Sequence, residues 1–200
     1  MSQLAVLVRH GTTEWSAAGR HTSRTDLSLT TAGVEQAIAL RAWTAPLLGR
    51  PGGCAVLASP RQRAVRTAEL AGLVPFTVDP DLVEWDYGEY EGLTTAEIRR
   101  AVPGWTVFTH PCPGGETADE VAARCDRVLD RVDRRSEATV VVVGHGHSLR
   151  SLAARWLDRP VADGRELELS TAAVCVLGYE HGAATLRRWN VANPTEEALP

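Results

Sequence analysis

The chain has 200 residues, 44% hydrophobic and 23% charged, enough for one domain with a full core and unlike a disordered segment. A net charge of -4 disfavours nucleic acid and anionic membranes as partners, since both select a basic excess. The longest apolar run, residues 172–177, is too short to span a membrane, and residues 4–8 are too short for a signal peptide's apolar region. All 21 basic residues are arginine, which excludes a lysine Schiff base with pyridoxal phosphate and a Gly-Lys phosphate loop.

In chain order, residues 4–8 are the first predicted strand. Ser28-Leu29-Thr30 opens a helix with Val34, Ala37, Ile38 and Trp43 at helical spacing, ending near Pro46. Residues 54–58 form the second strand. Ser59 then reads as an N-cap, with Pro60 at the first position of a helix that stops at Gly72. Thr117 and Glu120 make a capping box for a long helix whose buried face carries Val121, Cys125, Val128, Leu129 and Val132. Residues 139–143 are the third strand, and Leu149, Leu152, Ala153 and Trp156 mark a helix ending before Pro160. Two late strands, 173–179 and 184–189, join through Glu180-His181-Gly182. The first three strands are apolar throughout, the pattern of strands covered on both faces in a parallel sheet. The predicted fold is α/β: a three-layer sandwich with a mainly parallel sheet, an antiparallel edge strand and helices on both faces. It is read as one domain over residues 1–200, with a small helical cap at about 94–115. Cys54, Cys112, Cys125 and Cys175 are too scattered for a metal knuckle or a redox pair; as free thiols they fit a reducing cytoplasm.

Each of the three strands runs into polar chemistry. The first leads to Arg9-His10-Gly11, the second to Ser59-Pro60 and a helix with Arg61, Arg63 and Arg66, the third to Gly144-His145-Gly146-His147. In open α/β sheets ligands bind beyond the carboxyl ends of the strands. Parallel strands therefore bring histidines, arginines and two helix N-termini to one edge, a setting for a phosphate group. A proton donor for a leaving oxygen is available in residues 82–88, where Glu84 and Asp86 are the candidates.

These residues resemble the histidine phosphatase superfamily, the phosphoglycerate mutase-like fold. The resemblance runs in order through Arg9-His10-Gly11-Thr12, Ser59-Pro60-Arg61-Gln62-Arg63-Ala64 with Thr67-Ala68, Glu84 before Gly88 and Glu91-Gly92, Gly115-Glu116-Thr117, and Gly144-His145-Gly146. It implies that His10 is a nucleophile forming phosphohistidine. It further implies that Arg9, Arg63 and His145 grip the phosphoryl oxygens and that Glu84 protonates the leaving group. Ser16, Thr22, Ser23, Tyr87 and Gly146 are the expected substrate contacts. Ser16 stands where many members have asparagine and Ser23 where glycine is usual. Glu14-Trp15-Ser16 together with Glu84-Trp85-Asp86-Tyr87-Gly88 is similar to a phosphatase branch that includes acid phosphatases of mycobacterial type and sedoheptulose-bisphosphatase-like enzymes. The expected partner is a small phosphorylated metabolite. No cofactor and no metal are expected, and a homo-oligomer is left open.

Three other readings fit the sequence less well. A phosphoglycerate mutase needs a longer basic cap and a C-terminal lid, whereas residues 92–115 are few and only eleven residues follow Trp189. A zinc site from His10, Glu84, His145 and His147 is disfavoured because the nearby arginines repel a cation. A phospholigand-binding protein without catalysis has no need for both a nucleophile and an acid. His147 reads as a helix-start residue, and Trp85, Tyr87, Trp105 and Phe108 read as core or as a substrate wall.

Overall fold

The computed structural model describes residues 3–49 and 53–191. Its strands are β1 (Leu4–Arg9), β2 (Cys54–Ala58), β3 (Thr77–Val78), β4 (Thr139–Gly144), β5 (Val174–Glu180) and β6 (Ala183–Val191). They form one sheet in the order β3-β2-β4-β1-β5-β6. The first four in that order are mutually parallel, while β5 runs antiparallel to β1 and β6 antiparallel to β5. The antiparallel edge is thus a hairpin. His181 and Gly182 close it with φ of 51° and 86°, a two-residue turn of the kind that matches strand twist.

The helices are α1 (Glu14–Ala17), α2 (Thr31–Ala39), α3 (Arg41–Leu48), α4 (Gln62–Leu70), α5 (Thr95–Ala101), α6 (Ala118–Asp133) and α7 (Gly146–Trp156). Side chains alternate along β1 between two cores. Ala5 and Leu7 pack with Val140, Val142 and the α6 and α7 residues Val121, Val128 and Leu149. Val6 and Val8 pack with Val141, Val143 and the residues Leu40, Trp43, Ala64 and Ala68 on the α2–α4 side. Both faces of each central strand are covered, which is why those strands show no polar alternation.

Four local expectations change. The first helical region is two helices: Thr30 caps α2, and Leu40 separates it from α3. Pro46 lies inside α3, where buried Trp43 and Leu47 hold the helix to the core. Helix α4 begins at Gln62 with Arg61 as N-cap, and the Ser59 hydroxyl bonds to His145 and accepts the Arg61 amide at 3.4 Å. Strand β3 was not anticipated, since two residues carry no readable period. The expected cap holds one helix, α5, opened by a Thr94–Glu97 capping box. Beyond α5 the chain turns irregularly, with Trp105, Val107, Phe108 and Cys112 buried against the main core.

The register places Arg9 beside Gly144 and Ala58 beside Val143, so β1, β2 and β4 end level with one another. The His10 amide donates to the Gly144 carbonyl at 3.0 Å and the Ser59 amide to the Val143 carbonyl at 2.9 Å. Three sequence motifs are tied together by main-chain bonds at this edge.

Candidate active site

A cavity of about 240 Å3 opens at the carboxyl ends of these strands. Of the sequence-predicted residues, Arg9, His10, Ser16, Thr22, Glu84, Tyr87 and Gly146 line it. His10 is buried, and its Nδ1 lies 2.7 Å from the Gly11 carbonyl oxygen. A carbonyl only accepts, so Nδ1 carries the hydrogen and Nε2 carries the lone pair of the neutral ring. Burial, and then the charges of Arg9 and Arg63, push the His10 pKa well below its ordinary 6.5. Arg9 donates from Nη1 to the Leu169 carbonyl, while its buried Nε has no hydrogen-bond partner among the described residues. A buried cationic donor without an acceptor is a ready contact for an anion.

Arg63, His145 and Ser23 are not among the residues lining the cavity. The His145 ring packs edge-on to His10 at 5.2 Å, but both its nitrogens are engaged. Arg63 Nε donates to Nδ1 at 3.2 Å, so the hydrogen sits on Nε2 and is donated to Ser59 Oγ at 2.8 Å. Burial, then Arg63 and His10, lower the His145 pKa well below 6.5 and keep this ring neutral. The fully buried Arg63 also donates from Nη1 to the Thr25 carbonyl and from Nη2 to those of Thr22 and Ser23, and its Nη1 lies 4.0 Å from Asp26 Oδ1. In this form it shapes the loop after α1 and adds positive charge behind His10. Ser23 is turned away from the cavity because the Glu91 carboxylate gathers its amide, its hydroxyl at 2.6 Å and the Thr25 amide. Ser16 lines the cavity but also completes a capping box with Thr13 at the start of α1.

Glu84 is buried beside the first turn of α7. Its Oε1 accepts from the amides of Trp85 (2.8 Å) and Ser148 (2.7 Å), and its Oε2 from the amide of His147 (3.0 Å). The alternative carboxylate, Asp86, is held elsewhere: it pairs with Arg24 and accepts from the Gly88 amide. Tyr87 is fully buried, with its hydroxyl 2.6 Å from His147 Nδ1. Burial and the Glu84 charge raise its pKa well above 10, so it remains a phenol.

The sequence reading missed Arg20, His21, Thr95, Arg150 and Leu169 as lining residues and underweighted His147. Arg150 lies one helical turn after His147 on α7, so helical spacing from Gly146 offered a signal for it. Its guanidinium sits 4.6 Å from the centre of the Phe108 ring. Arg20 and His21 come from an irregular loop, where no period gives direction. Among the described residues, no three His, Cys, Asp or Glu side chains are grouped so as to hold a metal ion.

His21 has a consequence for stability. Burial lowers its pKa to about 4, against a coulombic contribution from Glu91. The unfolded chain takes up a proton near 6.5 and the folded chain resists until about 4, so stability falls as pH drops through that interval. From pH 7.5 to 4.5 the unfolding free energy is expected to lose about 2.5 kcal/mol from His21 alone. His10, His145 and His147 add in the same direction. Urea titrations at the two pH values should show a smaller drop for His21→Gln than for the parent protein. An identical drop would assign the acid sensitivity to the other histidines.

The cavity, lined by arginines and histidines, lies at the carboxyl ends of parallel strands, where open α/β sheets bind their ligands. The family model of the histidine phosphatase superfamily (branch 1) matches residues 5–192. The chain belongs to that superfamily, and it is a phosphoric monoester hydrolase. It is 42% identical over 184 residues to an acid phosphatase of Mycobacterium tuberculosis, covering 90% of this chain and 89% of the relative. It is 34% identical over 181 residues to sedoheptulose 1,7-bisphosphatase of Saccharomyces cerevisiae, covering 76% of this chain and 66% of that enzyme. A solved structure of an open reading frame from Mycobacterium tuberculosis superposes with a TM-score of 0.89 at 40% identity, covering 96% of this chain and 98% of that one.

Proposed function

We propose that this phosphatase hydrolyses small phosphorylated metabolites without a metal ion, through a phosphohistidine on His10. The observation that carries the reading is the 2.7 Å bond from His10 Nδ1 to the Gly11 carbonyl, which leaves Nε2 as the nucleophilic nitrogen beside the cavity. Nε2 attacks phosphorus, the P–N bond forms, and the P–O bond to the leaving group breaks. The leaving oxygen takes its proton from Glu84. Water then attacks phosphorus and gives one proton to the Glu84 carboxylate; the new P–O bond forms as the P–N bond breaks, its electron pair returns to His10 Nε2, and phosphate leaves. Arg9 and the first turn of α7 offset the phosphoryl charge, which is the main catalytic demand of such a transfer. Relatives named sedoheptulose 1,7-bisphosphatase and glucosyl-3-phosphoglycerate phosphatase support the substrate class. The described residues contain no helix long and apolar enough to cross a membrane. The four cysteines are unpaired, which suits a cytoplasmic enzyme.

The test is rapid quenching with a radiolabelled hexose phosphate in excess EDTA. An acid-labile, base-stable adduct should accumulate and release free phosphate. Activity lost to EDTA and restored by zinc or magnesium would overturn metal independence. A mutase would instead interconvert phosphoglycerates with little phosphate release. Of the stretch after Trp189, in which no lid is expected, residues 192–200 lie outside the described residues, so product partition decides this point.

A further inference from the structure

Glu84 stands on an irregular stretch of chain between two single turns, at Pro80–Leu82 and Gly88–Tyr90, with no strand or helix of its own to hold it. The backbone on either side is held by one partly buried ion pair. Arg124 on α6 is only 4% exposed. Its Nη1 donates to the carbonyls of Asp81 (3.0 Å) and Val83 (2.9 Å). Its Nε and Nη2 meet Glu116 Oε1 and Oε2 as a fork, at 2.8 and 3.1 Å. Glu116 Oε2 in turn accepts the Asp86 amide at 2.9 Å. The main chains also interlock: the Glu116 amide donates to the Asp86 carbonyl, and Trp85 Nε1 donates to the Glu116 carbonyl. The approach is so close that a Cβ on Gly115 would lie 2.2 Å from the Asp86 carbonyl oxygen.

An ion pair whose arginine is buried is a poor source of stability compared with apolar packing. This one directs its donors and acceptors to the peptide groups before and after Glu84. The carboxyl group itself is held unevenly. Each carboxyl oxygen has two lone-pair positions. Both on Oε1 are taken by the amides of Trp85 and Ser148, whereas the His147 amide takes one on Oε2. Only one main-chain amide donates to Oε2, so this oxygen keeps a position the backbone does not take, and the Tyr87 hydroxyl interacts with the same carboxyl group.

We propose that Glu116 and Arg124 are positioning residues for proton transfer, clamping the chain around Glu84 so that Oε2 is the atom that carries the proton. The inference rests on Glu84 being the acid of the reaction proposed above. In the first half-reaction the proton moves from Oε2 to the leaving oxygen as the P–O bond breaks. In the second, the carboxylate takes one proton from the attacking water.

The test uses Arg124→Met and Glu116→Gln in the full chain, with kcat/KM measured for a hexose phosphate and for p-nitrophenyl phosphate. A displaced acid should cost about 10- to 100-fold with the hexose phosphate and no more than about threefold with the nitrophenyl ester, whose leaving group needs little protonation. In a Glu84→Gln background either clamp variant should add little further loss, because the two changes act on one step. Equal losses on both substrates, or full additivity with Glu84→Gln, would overturn the proposal in favour of a purely structural ion pair. If thermal melting shows Arg124→Met unfolded, Glu116→Gln decides: it keeps the shape and Arg124, but its amide group faces one of the donors that Glu116 now accepts. A parent enzyme that forms no phosphohistidine defeats the reaction itself. A parent enzyme that forms it, with clamp variants unchanged on both substrates, defeats only the clamp.

Discussion

The His10→Ala variant is expected to lose about 10^4-fold or more in kcat/KM, by nearly the same factor for every substrate. The nucleophile is removed from both halves of the reaction, so no property of the leaving group can compensate. What remains is the electrostatic stabilisation from Arg9 and the start of α7. The pH dependence of the parent enzyme carries a second, independent part of this prediction. His10 must be neutral to attack, and burial with Arg9 and Arg63 nearby pulls its pKa well below 6.5. The acid limb of kcat/KM should therefore lie well below pH 6.5, leaving the enzyme active in mild acid. Arg9→Gln removes one of the two depressing charges, so that limb should move to higher pH while the rate also falls. A limb at or above pH 6.5 in the parent enzyme, or one unmoved by Arg9→Gln, would show that another group limits the rate.

Much of this site was legible in the sequence because the fold makes local demands. Strands covered on both faces must be apolar throughout, and β1, β2 and β4 are. Ligand chemistry then has to follow at their carboxyl ends, which selects His10, the stretch from Ser59 to Arg63, and His145. What the sequence did not carry is the direction of individual hydrogen bonds. The expectation that Arg63 and His145 face the phosphoryl group follows from their place in the motif. In the structure the two are bonded to each other, and Ser59 takes the remaining ring hydrogen. That arrangement depends on where the carbonyls of residues 22–25 come to lie, which no spacing near Arg63 reports. The same holds for Ser23, whose role is decided by Glu91, 68 residues later. The far wall of the cavity draws Arg20 and His21 from one loop, Thr95 from α5 and Arg150 from α7. Only the last stands in a regular register with a recognised motif.

Glu84→Gln tests the acid. It should cost about 10^2- to 10^4-fold with hexose phosphates, whose alkoxide leaving groups need a proton as the P–O bond breaks. The loss should be far smaller with p-nitrophenyl phosphate, whose phenolate departs unprotonated. The structure sharpens what glutamine can do there. Its single oxygen should take the Oε1 position, where the Trp85 and Ser148 amides donate. Its NH2 group then meets the His147 amide, a donor facing a donor across a gap that is now 3.0 Å. Part of the loss will therefore come from a shifted α7 start, and that part falls on both substrates alike because Gly146 and His147 line the cavity. Proton donation is measured by the ratio of the two losses, not by either alone. A ratio well above ten assigns the proton to Glu84. A ratio near one makes Glu84 a cap for α7, holding Gly146 and His147 in place, and the acid must then be sought elsewhere. Asp86 is then a weak candidate, since Arg24 and the Gly88 amide already hold its carboxylate. The Tyr87 hydroxyl, bonded to His147 at the cavity wall, is the protonated group left to test.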